Sequence, residues 1–222
     1  CRISGRLETD RIVSRGSLTV KLGLETKEIK SYGSLKIGGD LKSDAVYFAG
    51  SSEIEGDVEA ENFVSRGSFE IDGLLTADDI DIWLGSANSA EEVGGSNIEI
   101  RKKSVSLTPD PDSVRHGIEN LESRLDKLGE KLGFSLELDE EKISSGVTNF
   151  GDKITEYIND IGTGEFKSSL IEGDELDLES VKANTVRGRN DRIREGCVID
   201  KVEYSDTIKV EAGASVGEQL GL

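Results

Sequence analysis

Residues 33–73 read GSLKIGGDLKSDAVYFAGSSEIEGDVEAENFVSRGSFEIDG, in which Gly-Ser recurs at Gly33-Ser34, Gly50-Ser51 and Gly67-Ser68. The step is 17 residues and extends back to Gly16-Ser17, while a further pair, Gly85-Ser86, arrives one residue late. Apolar positions keep the same step independently. Leu7, Leu24, Leu41, Val58 and Leu75 form one series. Ile12, Ile29, Val46, Phe63 and Ile80 form a second, and Val20, Ile37, Ile54 and Ile71 a third. Series that stay in register over four or five copies mark a repeat architecture. Each unit in such a fold buries its apolar face only against its neighbours.

Within the first unit the inward positions fall two apart: Leu7/Thr9, Ile12/Ser14 and Leu18/Val20. Alternation by two is strand geometry with one face turned inward. Three such strands per unit make the three walls of a triangular coil. Each is too short to fold alone, and the next turn pairs with it in parallel about 4.8 Å away. The sequence therefore predicts a mainly β fold, a parallel β-helix over residues 1–104. Its first five turns would make a rod on the order of 24 Å long. The common hand of parallel crossovers makes the coil right-handed.

The corners carry expectations of their own. The column Gly16, Gly33, Gly50, Gly67 is read as a turn needing φ > 0, which glycine adopts without steric cost. The serines that follow would form a hydroxyl ladder or satisfy corner amides. Asp10, Lys27, Asp44, Glu61 and Asp78 share another column, read as a solvated outward corner. After Ile80 the register breaks. Residues 86–96, with Gly94-Gly95, read as a loop, after which Ile98 and Ile100 resume the third wall. Trp83, the only tryptophan, is expected to cap the last complete turn.

Beyond Pro109-Asp110-Pro111 the period changes. Ile118, Leu121, Leu125, Leu128 and Leu132 step by three and four, as do Ile143, Val147, Phe150, Ile154, Ile158 and Ile161. Both runs predict amphipathic helices with narrow apolar seams, so residues 105–165 are expected to be an inserted α-helical hairpin. From residue 166 to 222 β alternation returns in Leu176/Leu178, Val181/Ala183, Val198, Val202/Tyr204 and Ile208/Val210. The spacing there is looser, near 21 to 23 residues, with Arg187 to Arg194 read as a loop. These residues are expected to continue the first solenoid.

Composition narrows the function. The net charge of −18 in 222 residues excludes a nucleic-acid surface, which needs a basic stripe to displace counterions. Arg187, Arg189, Arg192 and Arg194 are the one local exception, read as solvated. No apolar run approaches a membrane span. The chain begins at Cys1 and contains no methionine, which points to a fragment or a processed product. Two cysteines, Cys1 and Cys197, make neither a zinc motif nor a disulfide framework, so a cytoplasmic setting is expected, with membrane association left open. His116 is the only histidine and falls at a predicted helix start. Neither a nucleophilic triad nor a phosphate loop is legible. No catalytic residue, cofactor or metal site is expected, and the chain is read as a non-enzyme.

The units at residues 39–56, GDLKSDAVYFAGSSEIEG, and 56–73, GDVEAENFVSRGSFEIDG, resemble the bactofilins, polymer-forming cytoskeletal proteins. So does CVIDKVEYSDTIKVEAGASVGE at residues 197–218. The resemblance covers about residues 5–104 and, more loosely, 170–222. It implies a right-handed β-helix that assembles without nucleotide into filaments, often at a membrane, and positions other proteins. The family's usual single uninterrupted helix contrasts with the helical segment here. No polymerisation residue carries over by motif.

The physical route to a polymer stands beside that resemblance. The first and last turns of a stack each expose a layer that another copy can bury. Ile3, Leu7 and Ile12 at one end, and Ile208, Val210 and Val216 at the other, are the candidate assembly residues. The expected partner is therefore the chain itself. A second protein could be captured through the helical seams at Ile118, Leu121, Leu125, Ile154 and Ile158, which is the alternative of a non-polymerising binding module. A carbohydrate-active β-helix enzyme working through carboxylates is the third reading.

Overall fold

The computed structural model describes residues 1–102 and 164–222. They form 14 strands of one hydrogen-bonded sheet, every pairing parallel, wound into a β-solenoid of about 9 turns with roughly 17 residues per turn. At about 4.8 Å per turn the rod is roughly 43 Å long. Strands β1 (Arg2–Ile3), β3 (Ser17–Val20), β5 (Ser34–Ile37) and β7 (Ser51–Ile54) build the third wall. Strands β2 (Leu7–Ser14), β4 (Leu24–Ser31), β6 (Leu41–Phe48) and β8 (Val58–Ser65) each cover the first two walls. Strands β9 (Ser68–Leu84) and β10 (Asn88–Lys102) each run round all three.

Register follows the repeat. Leu7 lies on Leu24, Leu24 on Leu41, Leu41 on Val58 and Val58 on Leu75. The column runs on through Val93, Ile171, Val186, Val202 and Gln219. Each interior aliphatic residue stabilises the fold by about 1.5–3 kcal/mol relative to exposure, so the columns, rather than any one strand, hold the rod. Bulk is matched between neighbours. Phe48 lies between Ser31 and Ser65 in one column, and Phe69 lies above Ser52 in another. The small serines leave room for rings that meet edge-on, Phe48 with Phe63 at 5.6 Å and Phe63 with Phe69 at 5.4 Å. The cost is three buried hydroxyls, Ser31, Ser52 and Ser65, without a hydrogen-bond partner.

Several local readings change. Residues 86–96 are not a loop: β10 pairs along its length with β9, and Ile98 and Ile100 stack on Ile80 and Ile82 in the second wall, not the third. The break is a bulge between Ala90 and Glu92 together with a late corner. Asn88 mends that corner from inside the core, accepting the Phe69 N–H at 3.0 Å and donating to the Ser86 carbonyl at 2.8 Å. Nor does the Gly16 column adopt positive φ. A Cβ on Gly33, Gly50 or Gly67 would fall well under 3.0 Å from the carbonyl of the glycine one turn below. Close approach of stacked backbones is the reason for glycine there. Positive φ occurs at the same corner only in the last turns, at Ser180, Gly196 and Gly213. Ser17, Ser34 and Ser51 face solvent.

The solenoid is continuous across residues 103–163. Strand β11 (Phe166–Leu178) lies in register on β10, from Asn88 on Phe166 to Ile100 on Leu178. The chain leaves after Lys102 and rejoins at Gly164, the corner between second and third walls that Arg15-Gly16 makes in the first turn. Residues 105–165, expected to form a helical hairpin, lie outside the described residues except for Gly164 and Glu165, the latter paired with Lys167 and Lys182. Strands β12 (Val181–Ile193), β13 (Val198–Val210) and β14 (Ser215–Gly221) complete the stack. Their offsets are 15, 16 and 17 residues, from Phe166 on Val181, Lys182 on Val198 and Val198 on Ser215. The looser period was thus a misreading. Val198 also points outward, with Cys197 and Ile199 facing in.

The corner glycines give a paired test. Gly50→Ala should lower unfolding free energy by about 2 kcal/mol or more through overpacking. Gly16→Ala, whose Cβ meets nothing within 4 Å, should be nearly neutral. Urea unfolding followed by circular dichroism reads both; equal effects would refute the close-approach explanation.

Candidate functional site

The two end layers carry the sequence-derived assembly residues. Ile3, Leu7 and Ile12 are half-buried and packed against the core through the turn that follows them. Ile208 and Val216 are half-buried at the other end, and Val210 is 37% exposed. The backbone edges are open as well. Strand β2 pairs only with β4 and β1 only with β3, while β14 pairs only with β13. Among the described residues β14 pairs with β13 as far as Tyr204, and no strand pairs with residues 206–210 on their outer side. Among the described residues each terminal turn therefore combines an apolar layer with backbone donors and acceptors that no strand pairs, the arrangement that templates strand addition. The helical candidates Ile118, Leu121, Leu125, Ile154 and Ile158 lie outside the described residues.

The outer surface is laced by ion pairs between adjacent turns. Arg6 meets Glu25 at 2.5 Å, Arg11 meets Glu28 at 2.6 Å and Lys36 meets Glu53 at 2.5 Å. Exposed pairs of this kind contribute only about 0.2–1 kcal/mol each, so they tune register more than they hold the rod. The arginine-rich run belongs to the same system. It is strand β12, not a loop. Arg187 bridges Glu172 and Glu203, Arg189 meets Asp206, Arg192 meets Glu211 and Arg194 grips Asp177. All four guanidinium groups are paired with carboxylates of neighbouring turns. The Asp10 column is exposed throughout, with Lys27 2.8 Å from Asp10.

Trp83 does not cap a turn. It points outward and is stacked between guanidinium groups of the turns below and above, Arg66 at 4.8 Å and Arg101 at 5.3 Å from the ring centroid. No three of His, Cys, Asp and Glu stand together as a metal site among the described residues. Cys197 is buried and its thiol is pushed up to about 11 by that burial, a poor nucleophile. Cys1 is exposed.

Sequence reading missed Asp191. It occupies the second-wall interior column, between Leu176 and Ile208, and is 3% exposed. Neither carboxylate oxygen has a hydrogen-bond partner. Gly188 makes space for it, since a Cβ there would overlap Asp191 Oδ1. Loss of hydration, with Glu175 adding like charge, pushes its pKa up to about 7. An acid raised in the folded state favours folding most below its unfolded pKa, and that advantage is lost as pH rises through the folded value. With the ordinary 3.8 as the unfolded value, the loss runs from about pH 4 to pH 7. At about 1.4 kcal/mol per unit it reaches a few kcal/mol. Asp191→Leu should therefore exceed the parent in unfolding free energy by a margin that grows across that window and levels off above it. A difference independent of pH would refute the buried, neutral carboxyl.

No protein-family model, curated protein or solved structure matches the chain.

Proposed function

We propose that the chain is a bactofilin-like structural scaffold, a right-handed β-helical rod that associates end to end without nucleotide and positions other proteins in the cytoplasm. The observation that carries this reading is the columnar stack itself, whose interior columns and parallel edges bury themselves wherever one turn meets another, as a turn of a second copy would. Attachment of residues 103–163 at a side corner between β10 and β11 supports it too, because Lys102 and Gly164 are remote from both end layers. The segment's predicted seams are the proposed route to a second protein.

Negative-stain microscopy and light scattering over a concentration series test the reading. The parent should form filaments or large assemblies without nucleotide, with an axial repeat of roughly 48 Å if the ten layers of the Ile3-to-Val216 column stack at strand spacing. Ile3→Asp and Val216→Asp, at end-layer positions, should reduce assembly at least tenfold while keeping the circular dichroism of the rod. A parent that stays monomeric at high concentration and in varied salt would overturn the proposal.

A further inference from the structure

The second wall carries an outer face unlike the other two. In two successive turns its outward positions are Ala45, Tyr47, Ala49, Asn62, Val64 and Arg66, none of them acidic. The same turns place Glu59 on the first wall and Glu53 and Glu70 on the third. One turn before, Lys30 lies under Tyr47, and Tyr32 is 46% exposed with its ring 5.7 Å from that of Tyr47. Arg15 stands over the Tyr32 ring at 5.9 Å and pairs with no carboxylate among the described residues. On a chain of net charge −18 this is an aromatic and aliphatic strip edged by cations. Exposed tyrosine and arginine are the residue types that carry most of the binding energy where proteins meet.

We infer that this face docks an acidic amphipathic helix of a partner protein. Two observations select that occupant. The strands beneath the face offer no backbone edge, since β4, β6 and β8 each pair on both sides. A partner cannot add a strand there and must arrive with its own backbone hydrogen bonds satisfied, as a helix does. Charge supplies the second selection. Arg15 has no carboxylate of its own, while Lys30 and Arg66 are held only by surface pairs with Glu28 and Asp81. Such pairs are weak and exchange readily. Carboxylates flanking a helix seam would meet all three cations, and the seam itself would cover Tyr32, Tyr47 and Val64. The acids of the first and third walls lie on other sides of the rod, and salt screens them beyond about 8 Å at 0.15 M. From Tyr32 through Ala49 and Arg66 to Trp83 the strip climbs about 14 Å. Roughly ten helical residues cover that length. The site lies on a side wall, so it stands whether or not rods associate end to end.

Trp83, the only tryptophan, borders the strip beside Arg66, so its emission reads occupancy in the full chain. The probe is a synthetic helical peptide with a leucine seam at i, i+3, i+4 and i+7, flanked by glutamates. Titrated at physiological salt, it should change the Trp83 emission saturably. A twin with glutamine for glutamate should bind several-fold more weakly, and a twin with serine for leucine should not bind. Tyr47→Ser and Arg15→Glu, both at outward positions, should each weaken binding at least fivefold while keeping the circular dichroism of the parent. Glu70→Gln, on the third wall, should leave it unchanged. A parent that gives no saturable change, or variants and twins that bind as well as the parent pair, would overturn the docking face. Emission that shifts with protein concentration in the absence of peptide, and ceases to do so in Tyr47→Ser, would assign the face to a second copy instead. Displacement of the peptide by polygalacturonate at equal carboxylate concentration would assign it to an anionic glycan. Light scattering on the same samples keeps the two readings apart, since Tyr47→Ser should lose the peptide and assemble as the parent does.

Discussion

The constraint on which this structure rests is vertical. A three-residue wall gains almost nothing by itself, and its inward side chains find partners only in the layer directly above or below. Every residue in an interior column must therefore suit two neighbours at a fixed strand spacing. Leu24, Leu41 and Val58 meet the condition by similarity. Ser31, Phe48 and Ser65 meet it by complementing small with large. The glycine corners obey the same rule on the backbone, where stacked carbonyls come too close for any Cβ. Even the outer surface follows it, since cations and carboxylates alternate between turns where the chain carries both.

That constraint explains what could be read in advance. Where the step is constant and the columns are aliphatic, as over residues 7–80, periodicity alone gives walls, facing and register. It fails where the markers of an inward position disappear. Gly95, Gly173 and Gly188 stand in one interior column and Asp191 in another, so the apolar rhythm of the last turns is broken even though the pairing is not. Shortened corners shift the step there as well. Corner conformation was less legible still. Glycine serves at Gly50 for proximity and at Gly196 for a left-handed backbone, and its letter is the same in both.

The candidate site divides the same way. The end layers are legible because topology alone places them. Membership of Ile3, Leu7 and Val216 in terminal turns needs only the repeat. The pairing of Arg187, Arg189, Arg192 and Arg194 was hidden, because partners lie 15 to 19 residues away along a strand that did not look like one. Asp191 was hidden by chemistry: a carboxylate is ordinarily assigned to solvent, and only its place between Leu176 and Ile208 shows otherwise.

The detour between Lys102 and Gly164 has an architectural meaning of its own. A corner touches the rod only through the turns on either side, and β10 and β11 keep strict register although residues 103–163 lie between them in the chain. Such a vertex behaves as a mounting point. Whatever leaves the rod there leaves and returns at a single vertex, between one layer of the stack and the next.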